Sequence, residues 1–326
     1  MIRMNTIFNI QTQAEFESAS LEVFKFQFEN NRVYRSFCDL LYIHSSDVKR
    51  IEDIPFFPIQ FFKSHEVLIN SHPVEQVFTS SGTTGALTSK HLVTDINIYE
   101  ESFRRTFNHF YGAIEDYVVL ALLPSYLERE GSSLIYMVED MIKQSRHVES
   151  GFYLHNLSEL KDILITLDNQ GKKVLLIGVS FALLDLVESY QFELKNTIIM
   201  ETGGMKGRRK ELVREELHQI LKQGFGVNSI HSEYGMTELL SQAYSQGQGI
   251  FECPKWMQVL TRDPEDALTI LPKYRTGGIN VIDLANINSC AFIATQDLGK
   301  TLSDNRFEII GRFDNSDLRG CNLMVL

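Results

Sequence analysis

The 326-residue sequence contains no uninterrupted apolar run of the ~18 residues that a membrane-spanning helix needs, and its opening, MIRMNTIFNIQTQAEF, lacks the apolar core of a secretory leader. Cysteine is scarce. Cys38, Cys253, Cys290 and Cys321 stand far apart with no CxxC pair, which argues against a zinc ribbon or a disulfide framework and favours a reducing compartment. Basic residues number 31 against 42 acidic ones, and the net charge of -11 excludes an extended nucleic-acid surface. No repeat, low-complexity tract or Gly/Pro/Ser-rich linker divides the chain. The expectation is a cytoplasmic globular protein with no membrane span and no nucleic-acid partner, whose 44% hydrophobic content can fill a large core.

Residues 14–41 carry Phe16, Leu21, Phe24, Phe28, Phe37 and Leu41 at helical spacing, so one or two amphipathic helices open the chain. DIPFFPIQFFKSHEV reads as an extended aromatic segment broken by Pro55 and Pro58, with Lys63 and His65 in structural roles. YVVLALLP, KKVLLIGVS and NTIIMETGG read as buried strands, and SSLIYMVEDMIKQ and SFALLDLVESY as helices between them. KGRRKELVREELHQILKQG is an amphipathic helix expected to close on Gly224. After Gly226 the text turns to strands, GVNSIHSEYG, GGINVIDLANINSCAFIATQDLG and RFEIIGRFD, in which Cys253, Cys290 and His231 read as core. This alternation predicts an α/β fold with largely parallel sheets flanked by helices and a β-rich C-terminal part.

One short stretch stands out. SSGTTGALTSK follows a probable strand, EQVFT, and precedes a helix beginning after Asp95. Gly82 and Gly85 permit positive φ, so backbone N–H groups can converge on an anion; Ser80, Ser81, Thr83 and Thr84 offer hydroxyl donors, and Lys90 a charge. Ala86 follows Gly85 where a Walker loop needs lysine, so this is not a Walker loop. The plain alternative for the stretch taken alone is a solvent-exposed Ser/Thr/Gly turn.

It resembles the phosphate-binding motif of the adenylate-forming superfamily of acyl-CoA synthetases, luciferases and nonribosomal adenylation domains. SEYGMTELLSQAY looks like that superfamily's YGxTE motif, ATQDLG is similar to its TGD motif, and IIGRFDNSDLRG to its GRxDD hinge, all in the expected order. The wording from about Asp53 to Leu326 looks most like the LuxE-type acyl-protein synthetases, which activate a fatty acid and pass it on through a cysteine thioester. The resemblance implies ATP and Mg²⁺ as cofactors. It implies that Ser80 to Gly85 with Lys90 hold phosphates, that Glu238 ligates Mg²⁺, and that Tyr234, with Gly235, Met236 and Thr237, forms the adenine side. It further implies that Gly203 and Gly204 bring backbone to the adenine, that Asp297 accepts from the ribose hydroxyls, and that Arg312 reaches the ribose or α-phosphate. The plain alternatives are that Glu238 opens a surface helix capped by Thr237, that Asp297 shapes a turn, and that Arg312 is a surface cation.

The implied organisation is an adenylate-forming large domain over residues 1–312, with subdomains of about 1–195 and 196–312, and a hinge-like tail over 313–326. Superfamily members also carry a mobile C-terminal domain of about a hundred residues with a charge-neutralising lysine. This sequence ends at Leu326 with no lysine that aligns, so the charge is expected from another basic residue or subunit. Cys321 lies where LuxE-type enzymes take up the acyl group, although a buried apolar cysteine would also fit. The implied partners are a fatty acid and, beyond Cys321 itself, an acyl-CoA reductase-like protein, an acyl carrier protein or coenzyme A. An acyl-CoA or aryl-CoA ligase is one alternative, and a non-catalytic nucleotide- and acyl-binding subunit is another.

Overall fold

The computed structural model describes residues 4–69, 73–80, 88–124, 130–203, 212–303 and 305–313. Two helices, Gln13–Asn30 and Arg32–Leu40, open the chain as their spacing predicts. Thr12 and Glu15 form a reciprocal capping box at the first, and the Asn31 side chain accepts from Val33 and Tyr34 N–H to start the second. The buried Gln27 amide donates to the carbonyls of Asn286 and Ile287, both at 2.9 Å, and accepts from Ala291 N–H at 3.0 Å. The N-terminal helix thereby fixes a segment that later supports the site.

Thirteen strands form one sheet among the described residues. Gly151–Phe152, Val118–Leu122, Val174–Gly178, Thr197–Glu201 and His231–Tyr234 lie side by side in that spatial order, all parallel. The sheet continues antiparallel through Ala243–Ser245, Ile250–Glu252, Arg306–Arg312, Phe292–Thr301, Thr276–Asp283, Met257–Arg262 and Ile270–Leu271. Phe57–Pro58 adds in parallel to Phe292–Thr301. Strands Val118–Leu122 and Val174–Gly178 are buried at every position, as their unbroken apolar runs require. The helices Ile96–Tyr111, Ser133–Ser145, Leu157–Asn169, Ser180–Ser189 and Arg214–Phe225 accompany this parallel half. The boundary expected near residue 195 falls between two strands that pair directly, Val174 opposite Thr197.

Two local expectations are corrected. PIQFFK is not extended: Ile59–Lys63 forms a 3₁₀ turn that buries Phe62. Helix Arg214–Phe225 closes on Gly226 at φ 68°, not on Gly224. Gly224 lies inside the helix, where the Val187 side chain occupies the space a Cβ would take. Gly226 needs its left-handed backbone, and a Cβ there would meet Phe192 O at 2.6 Å. Gly226→Ala should therefore cost about 1–3 kcal/mol in urea unfolding. Gly112→Ala, at φ 85° with open space around it, should cost less; equal losses would refute the steric account.

Candidate active site

Strands Thr197–Glu201 and His231–Tyr234 end beside each other, and the chain leaving them borders a cleft of about 960 Å³. Carboxyl ends of parallel strands are where open α/β sheets receive ligands. Ser80, Gly203, Tyr234, Gly235, Met236, Thr237, Glu238, Asp297 and Arg312, all singled out in the sequence, line this one cleft. A second groove, about 810 Å³ and bordered by Arg214, Lys222 and Arg306, holds none of them.

Asp297 and Arg312 face each other across neighbouring antiparallel strands, which puts Arg312 Nε 3.3 Å from Asp297 Oδ1. Tyr234 Oη donates to Asp297 Oδ2 at 2.8 Å. Asp297 is 8% exposed and burial raises its pKa, against the opposing pull of Tyr234, Arg312, Arg214 and Arg262. Each carboxylate oxygen keeps a free lone pair for a further donor. Asp297 is thus a buried acceptor flanked by a phenol and a guanidinium, not a turn residue. The Tyr234 ring packs edge-on against Phe307 and tilted against Phe251, so its orientation is fixed from behind.

No helix forms after Tyr234; residues 235–242 make a turn and loop, which rules out the surface-helix alternative for Glu238. Glu238 is 5% exposed. Burial raises its pKa, opposed by the Ser89 hydroxyl and by the charges of Lys63 and Arg312. The loop is held from beneath. Asp283 accepts from Leu240 N–H at 2.8 Å and from Ser241 N–H at 3.0 Å, Asn286 Nδ2 donates to Glu238 O at 2.6 Å, and His91 Nδ1 lies 2.8 Å from Thr237 O. Burial pushes the His91 imidazole down to about 4, so it is neutral.

The hairpin Gln76–Thr79/Lys90–Val93 carries the glycine-rich stretch. Ser80 closes its mouth: Ser80 N–H donates to Ser89 O at 3.1 Å, and Ser80 Oγ accepts from Ser89 N–H at 2.9 Å. Ser81, Gly82, Thr83, Thr84 and Gly85, together with Gly204 and Cys321, lie outside the described residues. Strand alternation buries Ser89 and His91 and leaves Lys90 exposed between them, outside the cleft lining. The lysine that does line the cleft is Lys63, expected to be structural. Gly203, at φ 70°, gives its N–H to Glu201 Oε2 at 2.6 Å. Glu201 is otherwise held by Ser180 at 3.3 Å and His218 at 3.5 Å.

The fit for Mg²⁺ rests on Glu238. A buried carboxylate facing a phosphate-sized cleft suits a hard cation that takes one protein oxygen and completes its shell with phosphate and water.

Two residues escaped the sequence reading. Arg262, buried beneath the cleft wall, donates to the carbonyls of Ile279 and Thr295 at 2.7 and 2.6 Å, in space that a Cβ on Gly278 would enter. Glu233 lines the cleft at 9% exposure, with an oxygen where a Cβ on Gly235 would lie. Burial, together with the Glu201 charge, pushes Glu233 up to about 8. The pattern SEYG conceals this, because strand alternation alone gives no sign that the inward carboxyl meets so few donors.

A sequence family described as "Acyl-protein synthetase, LuxE" matches residues 8–107 and 133–326. A long-chain-fatty-acid–luciferin-component ligase of Vibrio harveyi is 23% identical over 97% of this chain and 89% of its own length. One of the same description from Photorhabdus luminescens is 35% identical over 20% of this chain and 56% of its own. Among solved structures, a 2-hydroxyisobutyryl-CoA ligase with its acyl adenylate and CoA superposes with TM-score 0.64 at 13% identity, over 94% of this chain and 72% of that one. ATP-bound MatB from Rhodopseudomonas palustris gives 0.55 at 17%, over 73% of this chain; the match spans about half of the MatB chain, 48%. These superpositions establish the fold.

Glu233 generates a prediction. Its folded pKa lies above the ordinary carboxylate value, so the stability that its protonated form allows is complete below pH ~4.5 and is lost as pH rises through about 8. Glu233→Gln removes that loss. Its Tm relative to the parent should climb between pH 5 and pH 8, and a difference that stays flat with pH would show that the carboxyl is not a buried acid.

Proposed function

The chain belongs to the LuxE acyl-protein synthetase family and is an ATP-dependent, AMP-forming acid–thiol ligase, and on that basis we propose that it activates a long-chain fatty acid in this cleft and passes the acyl group to a cysteine. The observation that carries the reading is the convergence of Glu238 with the Tyr234–Asp297–Arg312 cluster on one cleft at the carboxyl ends of parallel strands.

In this reading a carboxylate oxygen of the acid attacks the α-phosphorus of ATP and pyrophosphate leaves, giving an acyl adenylate. The protein's task is to position and to neutralise charge. Asp297 accepts from the ribose hydroxyls, with Tyr234 and Arg312 fixing its carboxylate. Arg312, whose side chain is 74% exposed, is free to swing toward the α-phosphate. Ser80 and the glycine-rich stretch, residues 81–85, hold the β- and γ-phosphates, and Lys63 at the cleft rim adds a positive charge. Glu238 would hold Mg²⁺, which supplies charge neutralisation across phosphate oxygens. Leu134 and Met137 give the cleft an apolar wall for the acyl chain.

The acyl adenylate is then attacked by a thiolate at its carbonyl carbon, forming a thioester and releasing AMP. Cys38, Cys253 and Cys290 are buried thiols whose pKa burial raises, to about 12 for Cys38, which disfavours the thiolate. That supports Cys321 as the acceptor, with an acyl-CoA reductase-like protein, an acyl carrier protein or CoA downstream. A cytoplasmic location fits a substrate drawn from ATP, and no described helix is long and apolar enough to cross a membrane.

Glu238→Gln should lower carboxylate-dependent pyrophosphate exchange by about 10²-fold or more while leaving the unfolding midpoint within about a degree of the parent. Exchange that survives unchanged at limiting Mg²⁺ would remove Glu238 from the site. With ATP and a labelled fatty acid, the protein should carry a hydroxylamine-labile label that Cys321→Ser abolishes and that Cys253→Ser and Cys290→Ser retain. Label persisting in Cys321→Ser would direct the acyl group to another thiol.

A further inference from the structure

We propose that His91 is a positioning residue that locks the hairpin carrying the phosphate loop to the loop carrying Glu238. The inference rests on the reading of this cleft as the MgATP site.

His91 is fully buried in the strand Lys90–Val93, yet its ring is polar and makes one directed contact, from Nδ1 to the Thr237 carbonyl at 2.8 Å. A carbonyl oxygen only accepts, so Nδ1 carries the proton. Nε2 has no partner in hydrogen-bonding geometry, although the Asn286 side chain lies beside the ring, so the bond to Thr237 is the aligned contact that orients the imidazole as a donor. Phe62 packs edge-on against the ring at 5.9 Å and holds its plane.

Two residues earlier, just ahead of the strand, the buried Ser89 hydroxyl lies against the Glu238 carboxyl and opposes the rise of its pKa. Ser89 is also the residue whose backbone closes the mouth of the phosphate loop against Ser80. One edge of the hairpin therefore grips both the Thr237 carbonyl and the neighbouring Glu238 side chain across 146 positions of sequence. Asp283 and Asn286 hold the same loop to the sheet, and the Asn286 side chain also lies beside the His91 ring. His91 and Ser89 thus link the hairpin to the loop that carries Glu238. An apolar residue at 91 would fill the core equally well and lose that link, which is why a buried polar ring stands there.

The two nitrogens of the ring allow a discriminating test. The Asn amide nitrogen reaches the place of Nδ1, whereas the Gln amide reaches that of Nε2. For His91→Leu and His91→Gln, the apparent KM for MgATP in pyrophosphate exchange should rise about tenfold, the equivalent of one lost hydrogen bond. KM for the acid should stay within about twofold, and His91→Asn should restore MgATP binding to within about threefold of the parent. Hydrogen exchange without ligand supplies the second readout: amides at 237–241 should lose protection in His91→Leu and regain it in His91→Asn. Equal behaviour of the Asn and Gln variants, or protection lost throughout the chain in all three, would reduce His91 to core packing and overturn the proposal. Failure of the parent protein itself to bind MgATP by calorimetry would instead strike the reading of the cleft.

Discussion

The site depends on one buried carboxyl group, Asp283. Its carboxylate is wholly buried, which raises its pKa, and it is stabilised by donors that converge on it from a single loop and its own turn. Leu240 N–H, Ser241 N–H and Ser241 Oγ–H arrive at 2.8, 3.0 and 2.6 Å, and Ala285 N–H at 3.2 Å. Ser241 Oγ in turn accepts from the Trp256 indole at 3.0 Å and lies 3.0 Å from Ser102 Oγ. A buried carboxyl group is costly unless its oxygens are bonded, so these donors hold the loop after Tyr234 in place. With the backbone of residues 237–241 fixed, Glu238 has one direction available to it, into the cleft.

The electrostatics of the cleft follow from that rigidity. Glu238 and Asp297 are both held where burial disfavours their charge, each eased but not neutralised by Lys63 or Arg312. Such a pair of under-compensated carboxylates is poised for ligands that bring donors or cations, as the proposed ribose hydroxyls and divalent ion would. The Arg312 end of this arrangement is exposed, and it lies on the last described strand, where the chain leaves the sheet. Buried acceptors facing an exposed guanidinium suit a reaction in which the same nucleotide must be held through adenylation and then released as AMP.

Much of the fold was legible in the sequence, because unbroken Val/Ile/Leu runs and helical periodicity report burial directly. Val174–Gly178 and Ser180–Ser189 were plain for that reason. The helix end near Gly224 and Gly226 was misread because two glycines in KQGFG serve different ends, one admitting Val187 and the other turning the chain. The motif residues Glu238, Asp297 and Arg312 were found by their wording, and the structure gathers them. What the wording could not give is pairing at a distance. Ser89, His91 and Glu233 look like ordinary chain residues until the fold brings Thr237 and Glu238 to the hairpin and buries Glu233 near the Glu201 charge. Lys90 shows the converse: a motif position whose strand alternation points it away from the cleft lining, while Lys63, in an unpromising aromatic stretch, arrives at its rim.

The central claim is that one cleft holds the adenylate, with Asp297 on its ribose and Glu238 beside its phosphate. A crystal structure with a fatty acyl-sulfamoyl adenosine, a stable mimic of the acyl adenylate, tests this most directly. The account predicts both ribose hydroxyls within hydrogen-bonding distance of the Asp297 carboxylate, the sulfamoyl group between Arg312 and Glu238, and the acyl chain running past Leu134 and Met137. Density for the mimic in the groove bordered by Arg214, Lys222 and Arg306, with the Asp297 cleft empty, would contradict it.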